Sequence, residues 1–162
     1  MLARTKAALT VAACVASLCC GAALAAPENE AIYFSAAQLR EATAKTESGI
    51  KSYKLPVGIE AMVSATRRDA EGLVELHLKQ HDLIIPEGGQ VTALVGGHIE
   101  GNKQTAPDEF RGGKIIGGTP YKLMPGDVLW IPAGTPHQMQ VEKGGSFNYI
   151  ALKFDAQSAK PK

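Results

Sequence analysis

Five Gly-Gly pairs, at 88–89, 96–97, 112–113, 117–118 and 144–145, cut the chain after residue 49 into short pieces. Glycine enters left-handed turn conformations that other residues resist. Between the pairs lie apolar runs of a few residues. Short apolar runs with regular turn signals predict an antiparallel, all-β sandwich or barrel. The spacing predicts strands near 57–66, 73–79, 82–86, 90–95, 98–101, 114–116, 120–123, 128–131, 138–142 and 146–154. In LVELHLK (73–79), Val74, Leu76 and Leu78 share one face, and Glu75, His77 and Lys79 the other. In SFNYIALKF (146–154), Phe147, Tyr149, Ala151 and Lys153 oppose Asn148, Ile150, Leu152 and Phe154. Apolar groups on both faces suit a strand covered on both sides. Trp130 reads as core, and Phe147 and Tyr149 as packing or as lining of the interior. The polar stretch NKQTAPDEFRGG (102–113) reads as a surface loop.

The start of the chain is of another kind. MLARTK carries Arg4 and Lys6, and an uncharged alanine-rich run follows. A basic start, an apolar run and the small-residue site Ala23-Leu24-Ala25 predict a secretory signal peptide over 1–25. A periplasmic or secreted protein follows, with no membrane span after cleavage. Cys14, Cys19 and Cys20 all lie in that leader. The remaining chain would have no disulfide, thiol nucleophile or sulfur ligand. The 17 basic and 16 acidic residues become 15 and 16 on loss of Arg4 and Lys6. No basic run survives beyond Arg67-Arg68, so nucleic acid is not an expected partner. Ser35 is placed to cap a helix over 36–45. The domain reading is a leader (1–25), a helical segment (26–54), a β domain (55–155) and a polar tail (156–162).

GDVLWIPAGTPHQ (126–138) concentrates constraint around one histidine. Pro132 ends a strand because it cannot donate to the ladder. Gly134 permits a bend, and Pro136 stiffens the exit to His137. An imidazole fixed this way suits metal binding, because a rigid ligand loses little entropy on coordination. The residues alone leave two readings open, His137 as a ligand and His137 as packing.

The same stretch resembles the second motif of the cupins, G-x5-P-x-G-x2-H, at Gly126, Pro132, Gly134 and His137. Val141 stands where that motif usually ends in Asn. VELHLKQHDLIIPEGG resembles a divergent first motif. Aligned on Gly89, it puts Glu75 and His77 at the two histidine positions and Asp82 at the glutamate, with Asp69 in place of the opening glycine. The resemblance covers roughly residues 55–155. It implies a jelly-roll β-barrel with a short N-terminal helix, and pairing of two copies as a homodimer. It also implies a divalent metal (Fe, Mn, Zn or Ni) held by Glu75, His77, Asp82 and His137, with a small molecule beside it. All these donors are nitrogen or oxygen, compatible with such ions. Glu75 and His77, two apart in a strand, share a face. His81 competes with Asp82, since neighbours in a strand point to opposite sides and a shift of one residue would exchange them. His98 reads as a surface histidine. A guanidinium of Arg67 or Arg68 is a minor candidate to clamp a carboxylate ligand. The functions implied are a metal-dependent oxygenase, isomerase or lyase, or a non-catalytic binding protein of the cell envelope.

Overall fold

Ser35 opens the first element. Its hydroxyl accepts from the Gln38 N–H at 3.3 Å, and the Gln38 side chain accepts from the Ser35 N–H at 2.9 Å. This reciprocal cap starts α1, Ala36–Ala42. The helix stops short of the expected residue 45. Thr43 bonds its hydroxyl to the Leu39 carbonyl, and the chain turns through Ser48 and Gly49, both at positive φ. The computed structural model describes residues 31–57 and 59–156. The expected leader over 1–25 and all but the first residue of the expected tail lie outside the described residues.

Thirteen strands follow: β1 (Ile50–Lys54), β2 (Ala61–Arg68), β3 (Glu75–His77), β4 (Gln80–Gly89), β5 (Val91–Val95), β6 (His98–Glu100), β7 (Lys103–Ala106), β8 (Glu109–Arg111), β9 (Lys114–Ile116), β10 (Thr119–Leu123), β11 (Leu129–Ile131), β12 (His137–Gln140) and β13 (Phe147–Asp155). One sheet runs β1-β2-β13-β4-β11, a second β10-β5-β12-β3-β8-β7, and β6 pairs with β9. The pairings are antiparallel, which allows the short connections that the glycines mark. Among the described residues each large sheet ends in two edge strands, so the hydrogen bonding there does not close into a ring. The fold is thus mostly β with one short helix, as expected, while the two sheets remain distinct layers.

The layers face each other across a shared core. Ile84, Phe147, Tyr149 and Ala151 of the first sheet and Val91, Ala93 and Met139 of the second form one buried cluster with Leu123 and Ile131. Phe147 is 0% exposed and stacks on Tyr149 at 5.0 Å. The chain passes from the first sheet to the second between β4 and β5, at Gly89. There φ is +71°, and a Cβ would lie 1.9 Å from the Ser146 carbonyl oxygen. No side chain fits at that crossing.

Three expectations fail. The stretch 102–113 is no simple loop, since it contains β7 and β8, and β8 pairs with β3. Its short polar strands lack the alternation by which strands are recognised. Trp130 is 43% exposed, because it points away from the core on edge strand β11. The strand expected over 73–79 is shorter, since β3 covers only Glu75–His77, and Leu78 beyond it is 45% exposed. In addition, β1 falls within the segment read as helical, yet pairs with β2 along its whole length.

The Gly89 crossing generates a prediction. Gly126→Ala meets no atom within 4 Å and carries only positive-φ strain, so it should cost about 1 kcal/mol. Gly89→Ala adds a backbone clash and should cost more than about 2 kcal/mol. Urea midpoints of the two variants check the order, and equal losses would refute it.

Candidate functional site

Strand β3 places the first two site residues. It lies between β12 and β8, with Glu75 opposite His137 and His77 opposite Glu109. Alternation turns Glu75 and His77 to the same side, toward the first sheet. The stiff turn before His137 docks on β3 itself, since the Gly134 N–H donates to the His77 carbonyl at 2.7 Å. His137 is thereby delivered beside His77, with ring centroids 5.3 Å apart. From the facing sheet, β4 supplies Asp82 and β13 supplies Lys153, directly opposite each other in the ladder.

Four of the five expected residues meet here. Donor atoms of Glu75, His77 and His137 all lie within 4.8 Å of one another. Asp82 Oδ2 is 3.2 Å from His137 Nε2 and 3.5 Å from His77 Nε2. His77, Asp82 and His137 are all buried. Asp82 is one methylene shorter than glutamate and still reaches the set.

His81 does not join them. Asp82, Ile84 and Pro86 form the buried, inward parity of β4, so His81 faces outward. The irregularity in this ladder falls opposite Asn148 and Tyr149, beyond Asp82, and leaves that parity intact. His81 instead stacks on Trp130 at 4.8 Å, and its Nδ1 accepts from the Ala133 N–H at 3.0 Å. It braces the His137 turn from behind. His98 is exposed beside Glu100, as expected. Arg67 points out to Asp69, whereas Arg68 points in.

Both imidazoles are fixed through one nitrogen. His77 Nδ1 is 2.6 Å from Glu109 Oε2, and His137 Nδ1 is 3.1 Å from the Thr135 carbonyl oxygen. With an ion bound, each Nδ1–H would donate to that partner and each Nε2 would present its lone pair to the ion. This is the tautomer that a metal ion requires, with the outer partner that usually accompanies it. The donor set therefore fits a divalent ion.

Built-in cations already engage the same oxygens. Glu75 accepts from Arg68 at 2.9 Å on Oε1, and pairs with Arg111 at 2.7 Å on Oε2. The Lys153 ammonium bonds Asp82 at 2.8 and 2.9 Å and His77 Nε2 at 2.5 Å. Its three N–H donors match these three acceptors. Burial alone would raise the Glu75 pKa, but nearby His77, Arg111, Lys153 and His137 outweigh it and hold the carboxyl far below the usual range. Burial works against Asp82 too, and His137 with Lys153 lowers it. Burial pushes the Tyr149 phenol up, and that hydroxyl accepts from Arg68 Nε at 3.0 Å. Gly72 makes room for Arg68, since a Cβ there would lie 2.7 Å from the guanidinium. Arg68, Glu75, Asp82, Arg111, Tyr149 and Lys153 line a cavity of about 380 Å³ between the sheets, with Ile84, Met139 and Ala151 as its apolar wall.

Known proteins share this architecture. A family model described as AraC-like ligand binding domain matches residues 115–160, which include the His137 turn. An uncharacterized conserved protein with a double-stranded beta-helix domain from Klebsiella pneumoniae is similar at 13% identity. The match covers 80% of this chain and 95% of that one, with a TM-score of 0.56. The cupin domain of Cnp3 from Schizosaccharomyces pombe is similar at 10% identity, over 69% of each chain, with a TM-score of 0.50. The fold is that of the cupin superfamily. A cupin-superfamily sugar phosphate isomerase from Silicibacter pomeroyi aligns at 17% identity over 65% of this chain and 59% of its own length, with a TM-score of 0.46. The chain thus spans less than two thirds of that protein. A search of the curated proteins finds no match.

Sequence reasoning missed Lys153, Glu109 and Arg111. Lys153 had a visible signal, a lysine at the inward parity shared by Tyr149 and Ala151. Glu109 and Arg111 had none, because they reach the site only through the β3–β8 pairing.

The depressed carboxylates fix a pH response. Glu75 and Asp82 are lowered from unfolded values of 4.5 and 3.8. Their contribution to stability is present above those values and is lost as pH falls from there toward the folded ones. Metal-free wild type should therefore lose more stability between pH 7 and pH 3 than Glu75→Gln/Asp82→Asn. Urea midpoints at the two pH values measure this, and equal losses would contradict it.

Proposed function

We propose that this protein is an exported cupin that holds a divalent metal ion and a small molecule between its two sheets. Glu75, His77 and His137 are the proposed ligands, with Asp82 as a further oxygen donor. The observation that carries the reading is the pair of imidazoles, each tied through Nδ1 and each aiming Nε2 at Glu75 or Asp82. A nitrogen and oxygen set suits Fe, Mn, Zn or Ni. A bound ion would polarise a substrate oxygen or activate water, chemistry used by oxygenases, isomerases and lyases alike. The small-molecule part is supported by the AraC-like match and by the cavity volume, which falls in the usual ligand range of about 300–1,000 Å³.

The wider setting belongs to the same proposal. The leader over 1–25 directs the protein to the periplasm or outside the cell. The facing sheets serve as the walls of a jelly-roll barrel. Two copies pair, and the half-exposed Trp130 with its neighbours His81 and Phe154 offers apolar surface for it.

Lys153 favours a second reading, a non-catalytic binding cupin that needs no ion. Its ammonium already fills three acceptors of the ligand set. Elemental analysis separates the two. The first reading expects near-stoichiometric metal in the purified protein, lost in His137→Ala with an unchanged circular dichroism spectrum. Wild type without metal after exposure to Fe, Mn, Zn and Ni would sink it. Lys153→Met removes the competing cation and should tighten metal binding about tenfold, equal to about 1.4 kcal/mol. Competition against a chromophoric chelator reads this, and weaker binding would show that Lys153 does not compete.

A further inference from the structure

The charge lining the cavity is not balanced. Lys54, Arg68, Arg111 and Lys153 face it, against Glu75 and Asp82 alone. Lysines, arginines and carboxylates of the wall alone leave a surplus of two positive charges, and Glu109, 3.7 Å from Arg111 outside the wall, offsets one of them. A concave wall of one sign, backed by low-dielectric protein, focuses potential on its contents. A cation set of this kind exceeds what the two carboxylates need.

Arg68 is the most constrained member. Its residue is 8% exposed, and Gly72 leaves it the space to lie flat. Tyr149 and Glu75 take two of its bonds, and a guanidinium has five N–H donors in a fixed fork. Arg111 approaches the same Glu75 carboxylate from the second sheet. Arg68, Glu75 and Arg111 also line a second hollow of about 400 Å³ with Glu71 and Leu73. The ion-paired trio is therefore a partition between two spaces, with guanidinium groups presented to both.

We infer that the ligand of this cavity is a small organic anion, bearing a carboxylate or phosphate group bound at Arg68 and Arg111. Planar guanidinium groups match the oxygens of either group bidentately, which an ammonium cannot do. The anion shares the arginines with Glu75, and its carbon portion lies against Ile84 and Met139. Lys54 adds long-range attraction from the edge strand. Neutral molecules of the same shape are discriminated against, because they leave the surplus charge uncompensated. This assignment rests on the cavity as the ligand site proposed above, but not on the metal.

The test uses the full chain stripped with EDTA, so that failure of the metal reading leaves it intact. Isothermal titration calorimetry follows benzoate, succinate and inorganic phosphate, with benzamide as the neutral match for benzoate. At least one anion should bind, and benzamide at least about tenfold more weakly than benzoate if benzoate binds. Arg111→Gln, the more exposed site, should weaken the bound anion about tenfold. Arg68→Gln should do the same or more, with circular dichroism checking its fold. Preference for phosphate over the carboxylates would identify a phosphate ester as the ligand, and the reverse a carboxylic acid. Benzamide binding as tightly as benzoate, anion binding unchanged in both arginine variants, or no anion binding at millimolar concentration would each overturn the assignment.

Discussion

The Glu75 carboxylate is the joint between the two sheets at the site. Arg68 reaches it from β2 of one sheet, while Arg111 reaches it from β8 of the other. A carboxylate this buried survives as an anion only because both oxygens are paired. The rest of the site repeats the principle. Asp82 of the first sheet meets Lys153 of the same sheet and His137 of the second. Among the described residues, no buried side-chain nitrogen or oxygen lacks a partner. The cavity is thus walled by charges that hold each other in place, and removing one partner would leave another buried and bare.

His137 has support on two sides. In front, the Gly134 N–H bonds the carbonyl of His77, so the turn is tied to the strand of its neighbouring imidazole. Behind, His81 accepts from Ala133. One histidine of the chain is thus spent on fixing another. The prolines and glycine set the path of the turn, and these two bonds set where it rests. Such double anchorage keeps Nε2 aimed at one point without help from a ligand.

The meeting of Glu75, His77, Asp82 and His137 was legible through the resemblance to the cupin motifs, and two local rules supported parts of it. Strand parity put Glu75 with His77 and set His81 and Asp82 on opposite faces without choosing between them, and the glycine-proline turn singled out His137. The same parity could have exposed Lys153, which shares the inward face of β13 with Tyr149. The β7–β8 hairpin was not legible, because its strands are short and polar and gain their place by pairing with β3. Glu109 and Arg111 therefore emerge only from long-range register. Trp130 misled for a related reason. An apolar residue in a short strand reads as core, yet its direction depends on which neighbours the strand finds.

That direction has a consequence of its own. Trp130 is the single tryptophan of the chain, and it lies on the outer face, stacked on His81 and close to Phe154. Its indole is turned away from the charged interior. Tryptophan emission is consequently an optical probe of the sheet's back, sensitive to the state of one imidazole and to any surface laid over it. Filling the interior should leave that light almost unchanged, whereas covering the back of the sheet should shift its colour.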